Sequence, residues 1–336
     1  MTYDIQRISD ASAWEPRTLE QDDRWKYKLT EHDIREINIA LAKILKLNVD
    51  EEKINPDTFV LPLLSAKLSE FGDSIENDLG IIVIKGLPVE SYSKEELKTI
   101  FLGIGSHFGY QLPQSLGGEL LQEVFNRGEN LYANTGRGTN TSDKLPWHTD
   151  RSDVVSLLCV NRSEVGGESK LASLTNVYNK IKEERPDLAE ALCADFYHGR
   201  APFESKDLSP WYKLPIFTEY EGKFASRYLR RFVELGQEYP EVPRFSDKQI
   251  EALDYLDKRL DDEDVCFYLP FEVGDIQIIN NFTICHSRNT YTDSPEKTRF
   301  LMRLWLASYK GRALAPEFQS LYGTTEGGVI RGGILL

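Results

Sequence analysis

The sequence predicts an α+β protein built on an antiparallel β core. Apolar residues at helical spacing dominate the first hundred residues, and short apolar, β-branched runs dominate the remainder. A second helical stretch interrupts those runs at about residues 176–262. The chain has 336 residues, 40% of them hydrophobic and 11% aromatic, which is enough to bury one sizeable core. We therefore expect a single domain, 1–336, made of an N-terminal extension (1–78), a core (79–310) and a tail (311–336).

Three helices are predicted in the first third of the chain. Residues 31–47 place apolar side chains on one helical face, and Thr30 is suited to cap that helix. Helical spacing recurs over residues 64–75, although an internal glycine weakens it. The apolar run 80–84 predicts a buried strand. Residues 93–96 (Ser-Lys-Glu-Glu) form a capping box, so a third helix is expected to begin there.

The rest of the chain predicts strands on both sides of the helical stretch. A helix interrupted at Pro186 is expected over residues 175–194, and a second capping box at 246–249 (Ser-Asp-Lys-Gln) begins another. Residues 200–244 are rich in proline and aromatic residues, which favours strands and loops with little helix. The expected strands are residues 154–160, 169–173, 266–269, 275–280 and 299–309.

The charge balance and cysteine usage exclude several classes of protein. Acidic residues number 54 against 40 basic residues, and the resulting net charge of −14 repels phosphate backbones, so nucleic acid is not expected as a partner. The four cysteines form no CxxC motif, which indicates buried thiols in a reducing compartment. No signal peptide is recognisable, and no run approaches the roughly 18 apolar residues of a membrane span. We expect a cytoplasmic protein without a membrane partner, and a homo-oligomer is left open.

A histidine and an aspartate in the middle of the chain are suited to metal binding. His148 and Asp150 are two residues apart, and on an extended segment such residues point to the same side. An isolated His-x-Asp is also common by chance. Among the five histidines, His286 is the best third ligand by elimination, although a structural histidine is the alternative. Two histidines and one carboxylate leave open coordination positions on an octahedral iron.

Two arginines follow His286 on a predicted strand. Arg299, Leu301, Arg303 and Trp305 fall on one face of that strand. A buried guanidinium is costly without an anion, which favours an anionic cosubstrate and an anionic substrate. The alternative is that the arginines reach solvent or pair with acidic residues of the core.

Four motifs in this order resemble the taurine dioxygenase family, the TauD/TfdA-like enzymes that use Fe(II) and 2-oxoglutarate, and the clavaminate synthase branch is similar. They are residues 147–150 (Trp-His-Thr-Asp), residues 166–169 (Gly-Gly-Glu-Ser), residues 274–275 (Gly-Asp) leading to Asn281 and His286, and Arg299-x-x-x-Arg303. The resemblance covers about residues 80–306. With strand-type runs around both metal motifs, it predicts a double-stranded β-helix (jelly roll) with flanking helices and a helical insertion.

The resemblance implies a role for each matching residue. His148, Asp150 and His286 would bind Fe(II), and Arg299 would hold the distal carboxylate of 2-oxoglutarate with Ser169, where the family usually has threonine. Arg303 would hold an acidic group of the substrate. The implied reaction consumes O2, decarboxylates 2-oxoglutarate to succinate and CO2, and hydroxylates an unactivated C–H bond. Desaturation, cyclisation and epoxidation use the same site, and the carboxylate at position 150 disfavours halogenation.

The polar segment before the metal motif predicts substrate contacts. Gln111, Gln114 and Asn134 are candidates, and the alternative for each is that it satisfies loop backbone. Asp153 and Asn281 are candidates to support the metal histidines. We expect a small anionic substrate, an amino acid or a natural-product intermediate. The competing hypotheses are a cupin-like binding protein and a zinc hydrolase that uses the same three residues.

Overall fold

The computed structural model describes residues 3–130, 138–200 and 208–334. The helices in these ranges are α1 (Pro16–Gln21), α2 (Glu31–Leu47), α3 (Leu64–Asn77), α4 (Lys94–Ser106), α5 (Leu174–Glu184), α6 (Pro186–Leu192), α7 (Arg230–Gly236), α8 (Asp247–Leu260) and α9 (Gln319–Tyr322). The strands are β1 (Lys26–Lys28), β2 (Ile81–Lys85), β3 (Gly109–Gln111), β4 (Leu121–Val124), β5 (Leu145–His148), β6 (Val154–Asn161), β7 (Val165–Gly166), β8 (Ser169–Ser173), β9 (Asp195–Gly199), β10 (Trp211–Pro215), β11 (Phe217–Tyr220), β12 (Lys223–Ser226), β13 (Phe267–Tyr268), β14 (Ile276–Asn280), β15 (Ile284–Arg288), β16 (Tyr291–Thr292) and β17 (Phe300–Ser308).

Local capping signals set where the longer helices begin. At the start of α2 the Thr30 hydroxyl accepts from the Asp33 N–H at 3.2 Å, and the Asp33 carboxylate accepts from the Thr30 N–H at 2.7 Å. Ser93 and Ser246 make the same reciprocal pair of bonds at the starts of α4 and α8. Each box satisfies N–H groups that a helix end otherwise leaves unpaired. The predicted starts of these three helices are therefore confirmed.

Two antiparallel sheets form the body of the protein. The larger has the order β1-β2-β14-β6-β17-β3, and β4 also pairs with β17. Within it only β1 and β2 run parallel. The smaller has the order β13-β8-β15-β5, and all of its pairings are antiparallel. Helices and antiparallel sheets thus occur together, as the α+β prediction requires.

The layers follow from the alternation of side chains along each strand. Val155 and Ile279 of the larger sheet pack with Leu171 and Ile284 of the smaller sheet in one apolar cluster between the two sheets. The other face of the larger sheet packs on α2, α3 and α4, and the other face of the smaller sheet packs on α5, α6 and α8. Cys285 lies in that last cluster. Consequently, the neighbouring His286 points between the sheets.

Residues 208–244 contain three short strands and one short helix. Helix α7 begins directly after Leu229 and lies against β9. A Cβ atom on Gly236 would stand 2.1 Å from the Tyr197 carbonyl oxygen, so only glycine permits this approach. The prediction of strands and loops with little helix is confirmed for the described residues 208–244, where α7 is the one short helix among three strands. The four cysteines of the chain are buried, and their thiols form no disulfide. Within the described ranges, no helix has the length and apolarity that crossing a membrane requires.

Candidate metal centre

The register of the smaller sheet brings two distant histidines together. His286 of β15 pairs directly with His148 at the end of β5, and their ring centroids lie 4.2 Å apart. Asp150 follows His148 by two residues, just beyond the end of β5, and its carboxylate reaches the same place as the two rings. The ligand atoms of these three residues all lie within 4.8 Å of one another. The structure thus assembles the predicted trio into a group that could hold a metal ion.

The nitrogen and oxygen atoms of this group face one another. The Nε2 atom of His148 lies 4.0 Å from Oδ1 of Asp150, and the Nε2 atom of His286 lies 3.6 Å from Oδ2. The Nδ1 atom of His148 lies 2.8 Å from the Pro146 carbonyl oxygen. Because a carbonyl oxygen only accepts, Nδ1 carries the proton and Nε2 presents its lone pair to the site.

Asn281 holds the loop that carries Asp150. Its side-chain oxygen accepts from the Asp150 N–H at 2.8 Å, and its side-chain nitrogen donates to the Asp150 and Ser152 carbonyls, each at 2.7 Å. These bonds fix the backbone on both sides of the aspartate. Asp153 instead pairs with Arg331 at 2.8 Å and accepts from the Ser308 N–H at 3.1 Å. Of the two predicted supporting residues, only Asn281 contacts the backbone of Asp150.

The electrostatics favour the protonation states that a metal requires. Burial is the main cause that lowers the pKa of His148 to about 3, and the neighbouring His286 adds to it. Burial by itself raises the pKa of Asp150, but the charge of Arg303 and contact with the histidines outweigh burial, and the net pKa is lowered. Metal ligation needs a neutral imidazole and an ionised carboxylate. Two imidazole nitrogens and a carboxylate fit Fe(II) with coordination positions left open.

Arg303 is engaged by protein groups. Its Nη1 donates to Oδ2 of Asp150 at 3.2 Å and its Nε donates to Oε1 of Gln114 at 2.8 Å. Trp305 also donates to Oδ2 of Asp150, at 2.9 Å. The alternative left open by the sequence, a pairing with an acidic residue of the core, is the arrangement observed. This geometry does not support Arg303 as the substrate anchor.

The three predicted substrate contacts from the polar segment differ in their position relative to the cavity. The Gln111 amide donates to the Ile54 and Leu102 carbonyls at 3.2 and 3.1 Å and does not line the cavity, so this geometry does not support Gln111 as a substrate contact. Gln114 lines the cavity, but its amide group is bonded to Arg303 and to the Leu120 carbonyl. Asn134 lies outside the described residues.

A cavity of about 300 Å³ opens onto the three candidate ligands. The predicted face of β17 lines it, because Arg299, Leu301, Arg303 and Trp305 all border the same space. Ser169, at the start of β8, borders it as well. The even-numbered residues of β17, such as Met302, pack instead on the helices behind the larger sheet.

One end of the cavity carries two buried arginines. Arg299 is 5% exposed, its Nη1 atom has no hydrogen-bond partner, and burial lowers its pKa. Arg288 is 4% exposed, its Nε atom has no partner, and burial followed by the charge of Arg299 lowers its pKa to about 10. The sequence analysis missed Arg288. The available signal was its position two residues after His286 on a strand, which places both side chains on one face.

A third buried arginine comes from the helical insertion. Residue 229 forms a β-bridge with residue 148, which brings the segment between β12 and α7 alongside the metal motif. Arg227 of this segment lines the cavity and donates from Nη1 to the carbonyl and hydroxyl oxygens of Thr149 and the carbonyl of Asp150. Its Nε atom is buried without a partner. Nothing in the local sequence distinguished this arginine from others in the insertion.

Two histidines and one carboxylate on an antiparallel sheet are typical of iron-dependent oxygenases. Residues 45–305 match the model of the family described as "Taurine catabolism dioxygenase TauD, TfdA family". The chain belongs to this family, as the resemblance predicted. It is a 2-oxoglutarate-dependent dioxygenase with Fe(II) as its metal and 2-oxoglutarate and O2 as cosubstrates. This class contradicts the alternatives of a cupin-like binding protein and a zinc hydrolase.

Several individual proteins are similar to the chain. The FR-33289 synthase of Streptomyces rubellomurinus is 27% identical over 316 residues, which span 91% of each chain. The taurine hydroxylase-like protein SAT17 of Stachybotrys chartarum is 30% identical over 314 residues, covering 89% of this chain and 79% of the relative. A solved structure of asparagine oxygenase with Fe(II), 2S,3S-3-hydroxyasparagine and succinate superposes with a TM-score of 0.65 at 16% identity, over 84% of this chain and 93% of that one. At that identity, the likeness concerns the fold alone.

Proposed function

We propose that the protein hydroxylates an unactivated C–H bond of a small anionic substrate, an amino acid or a natural-product intermediate. The reaction would be coupled to decarboxylation of 2-oxoglutarate to succinate and CO2. The observation that carries this proposal is the placement of the three candidate ligands beside a cavity with buried arginines on two sides. Desaturation, cyclisation and epoxidation are alternative outcomes at the same site.

The metal would be held by the Nε2 atoms of His148 and His286 and the carboxylate of Asp150. Iron(II) in such a site supplies O2 activation coupled to oxidation of the 2-oxo acid. The hydrogen bond from Nδ1 of His148 to Pro146 orients that ring, and Asn281 holds the backbone of Asp150. The protein itself keeps the two histidines neutral and the aspartate ionised. It also holds both organic substrates and limits water at the reacting carbon.

Arg299 would bind the distal carboxylate of 2-oxoglutarate. Its Nη1 atom is a buried donor without an acceptor in the part of the chain that the structure describes. Such a group costs free energy until an anion fills the site, and an arginine–carboxylate pair is a strong, directional contact. The hydroxyl of Ser169, which lines the same cavity, is the proposed second donor.

The anionic group of the substrate would lie on the opposite side of the metal ligands, near Arg227. This side chain is buried next to Asp150 and has an unpartnered Nε atom. Leu229, Phe232 and Leu235 line the same cavity and offer apolar surface to a carbon skeleton. A cationic wall in a protein of net charge −14 favours a ligand of opposite charge. A relative named as taurine hydroxylase-like supports a sulfonate or another small anion as substrate.

Two further predictions concern the architecture and the setting of this site. We propose that the two sheets form the predicted double-stranded β-helix, because they face each other across a shared apolar cluster and carry the metal motifs on the smaller sheet. We also propose that residues 1–336 act as one domain, with the insertion at about 176–262 closing one side of the cavity. A cytoplasmic location and a homo-oligomer stay predictions.

The function is tested by measuring succinate formed from 2-oxoglutarate with Fe(II) and O2, across a panel of amino acids, sulfonates and phosphonates. A true substrate should stimulate succinate formation and gain one oxygen atom, which mass spectrometry detects. Loss of two hydrogens instead would indicate desaturation. Arg299→Gln should raise the KM for 2-oxoglutarate by about tenfold or more, because a charge-assisted contact is lost. The proposal would be contradicted if none of the anionic compounds stimulated iron-dependent formation of succinate.

A further inference from the structure

The two buried arginines at one end of the cavity come from different sheets. Arg288 is the last residue of β15 in the smaller sheet, and Arg299 directly precedes β17 of the larger sheet. Their guanidinium carbons lie 4.9 and 5.1 Å from the ring centroid of the same residue, Tyr291. Both arginines line the cavity. Each sheet therefore contributes one positive charge to the same end of the cavity, beside Tyr291.

Neither of these two charges has a counter-ion among the described residues. Across the described part of the chain, no carboxylate lies within ion-pair distance of either guanidinium. Asp293 instead accepts from the backbone N–H of Arg299 at 2.8 Å. Arg288 donates only to carbonyl oxygens, those of Thr141 at 2.8 Å, Asp143 at 2.6 Å and Gly138 at 3.4 Å. Two buried like charges that lack an anion are costly, and an anionic ligand bound between them would offset that cost.

The position of Arg288 relative to the metal ligands suits a short dicarboxylate. Arg288 lies two residues after His286, so the two Cα atoms are about 7 Å apart along one face of the strand. Ser169 is the direct cross-strand partner of Arg288. A 2-oxo acid with its keto end at the metal would extend its distal carboxylate towards Arg288, Ser169 and Arg299.

We propose that Arg288 is the second cation of the cosubstrate site and binds the distal carboxylate of 2-oxoglutarate together with Arg299. This inference rests on the proposed function and deepens it. Because the charge acts on the distal carboxylate, Arg288 selects a dicarboxylic 2-oxo acid against a monocarboxylic one such as pyruvate. Its bonds to the Thr141 and Asp143 carbonyls make the cavity wall at residues 138–143 part of the same site.

The test compares a dicarboxylate with a monocarboxylate. Calorimetric titration of the Fe(II)-loaded protein without oxygen gives the Kd of 2-oxoglutarate and of pyruvate. Arg288→Gln should raise the Kd of 2-oxoglutarate by about tenfold or more, since a hydrogen bond to a charged group is lost, and should leave the Kd of pyruvate little changed. Arg288→Lys, which keeps the charge, should recover part of the affinity. Arg185→Gln is the matched control, an arginine whose ion pairs with Asp187 and Glu251 lie on the surface.

Equal weakening of both acids, or no weakening of either, would overturn the proposal and assign Arg288 to the cavity wall alone. If Arg288→Gln does not fold, Arg288→Lys decides the question in the same comparison: a loss confined to 2-oxoglutarate supports the proposal, and an equal loss or no loss refutes it. Failure of the proposed function has a different signature. In that case the wild-type protein would form no substrate-stimulated succinate, whatever the variants bind.

Discussion

His148 and His286 are direct partners across two antiparallel strands, and their ring centroids lie 4.2 Å apart although 138 residues separate them in the chain. The sheet ladder, and not a flexible loop, thus sets their spacing. A shift of one residue in the pairing would turn His286 to the outer face, where Cys285 packs on the insertion helices. The register of β15 is therefore a condition for the candidate metal site.

Asp150→Ala should abolish the reaction. The substitution removes one of three proposed ligands and the anion that offsets the metal charge, and it breaks the ion pair between Arg303 and Asp150. Loss of groups that only support a ligand costs about 10–100-fold, so turnover should fall by more than that. The experiment measures the iron bound per chain and the succinate formed in the presence of substrate. The surface variant Asp187→Ala is the control. Full iron content and turnover in Asp150→Ala would show that Asp150 is not a ligand.

Asn281→Ala should weaken the site without removing a ligand. Its amide makes three hydrogen bonds to the backbone of residues 150–152. Their loss should lower the Fe(II) affinity by about 10–100-fold. Competition with a metal indicator measures this affinity. Asn289→Ala is the matched control, because that amide bonds to Glu168 on the surface. If Asn281→Ala and Asn289→Ala had the same Fe(II) affinity, Asn281 would not support the metal site.

Arg331→Met should destabilise the fold. Arg331 is 0% exposed and its Nε lies 2.8 Å from Oδ1 of Asp153, in the segment between the metal motif and β6. Breaking one side of a buried ion pair costs about 3–5 kcal/mol, whereas an exposed pair contributes at most about 1 kcal/mol. Urea denaturation measures the free energy of unfolding, and Arg24→Met, whose pairs with Asp22 and Asp78 are partly exposed, is the control. Similar losses in the two variants would contradict this account.

His198 should make stability fall in acid. Burial, followed by the charge of Arg227, lowers its pKa from 6.5 to about 3. Below pH 6.5 the imidazole of His198 binds a proton in the unfolded chain, whereas in the folded chain it stays neutral until about pH 3. The contribution of His198 is therefore complete above pH 6.5 and is lost as the pH falls, by at most about 1.4 kcal/mol per pH unit.

Urea denaturation between neutral and acid pH checks this contribution. His198→Gln, which can still donate to the Leu214 carbonyl, should lose stability less steeply than the wild type below pH 6.5. His32→Gln, on an exposed side chain, controls for the loss of a histidine as such. Parallel pH profiles for wild type and His198→Gln would contradict the prediction.

Two predicted substrate contacts, Gln111 and Arg303, are engaged by protein groups instead, for one physical reason. Gln111 was predicted as a substrate contact because it lies in a polar segment, yet its amide satisfies two carbonyls from other elements, Ile54 and Leu102. Arg303 was predicted to hold the substrate, yet it contacts Asp150, which is 153 residues away in the chain. Each outcome depends on a neighbour that sequence spacing does not reveal.

The sequence by itself determined the features that are encoded locally. Three helix starts follow from their capping residues, and the shared direction of His148 and Asp150 follows from their separation by two residues. The period of two of a strand also determines that Arg299, Leu301, Arg303 and Trp305 share one face. Only the tertiary structure decided which distant groups meet. The pairing of β15 with β5, the approach of Arg288 to Arg299, and the entry of Arg227 beside Asp150 depend on strand register and sheet packing. Such contacts arise from the burial of shared apolar surface between elements far apart in the chain, and no local pattern records them.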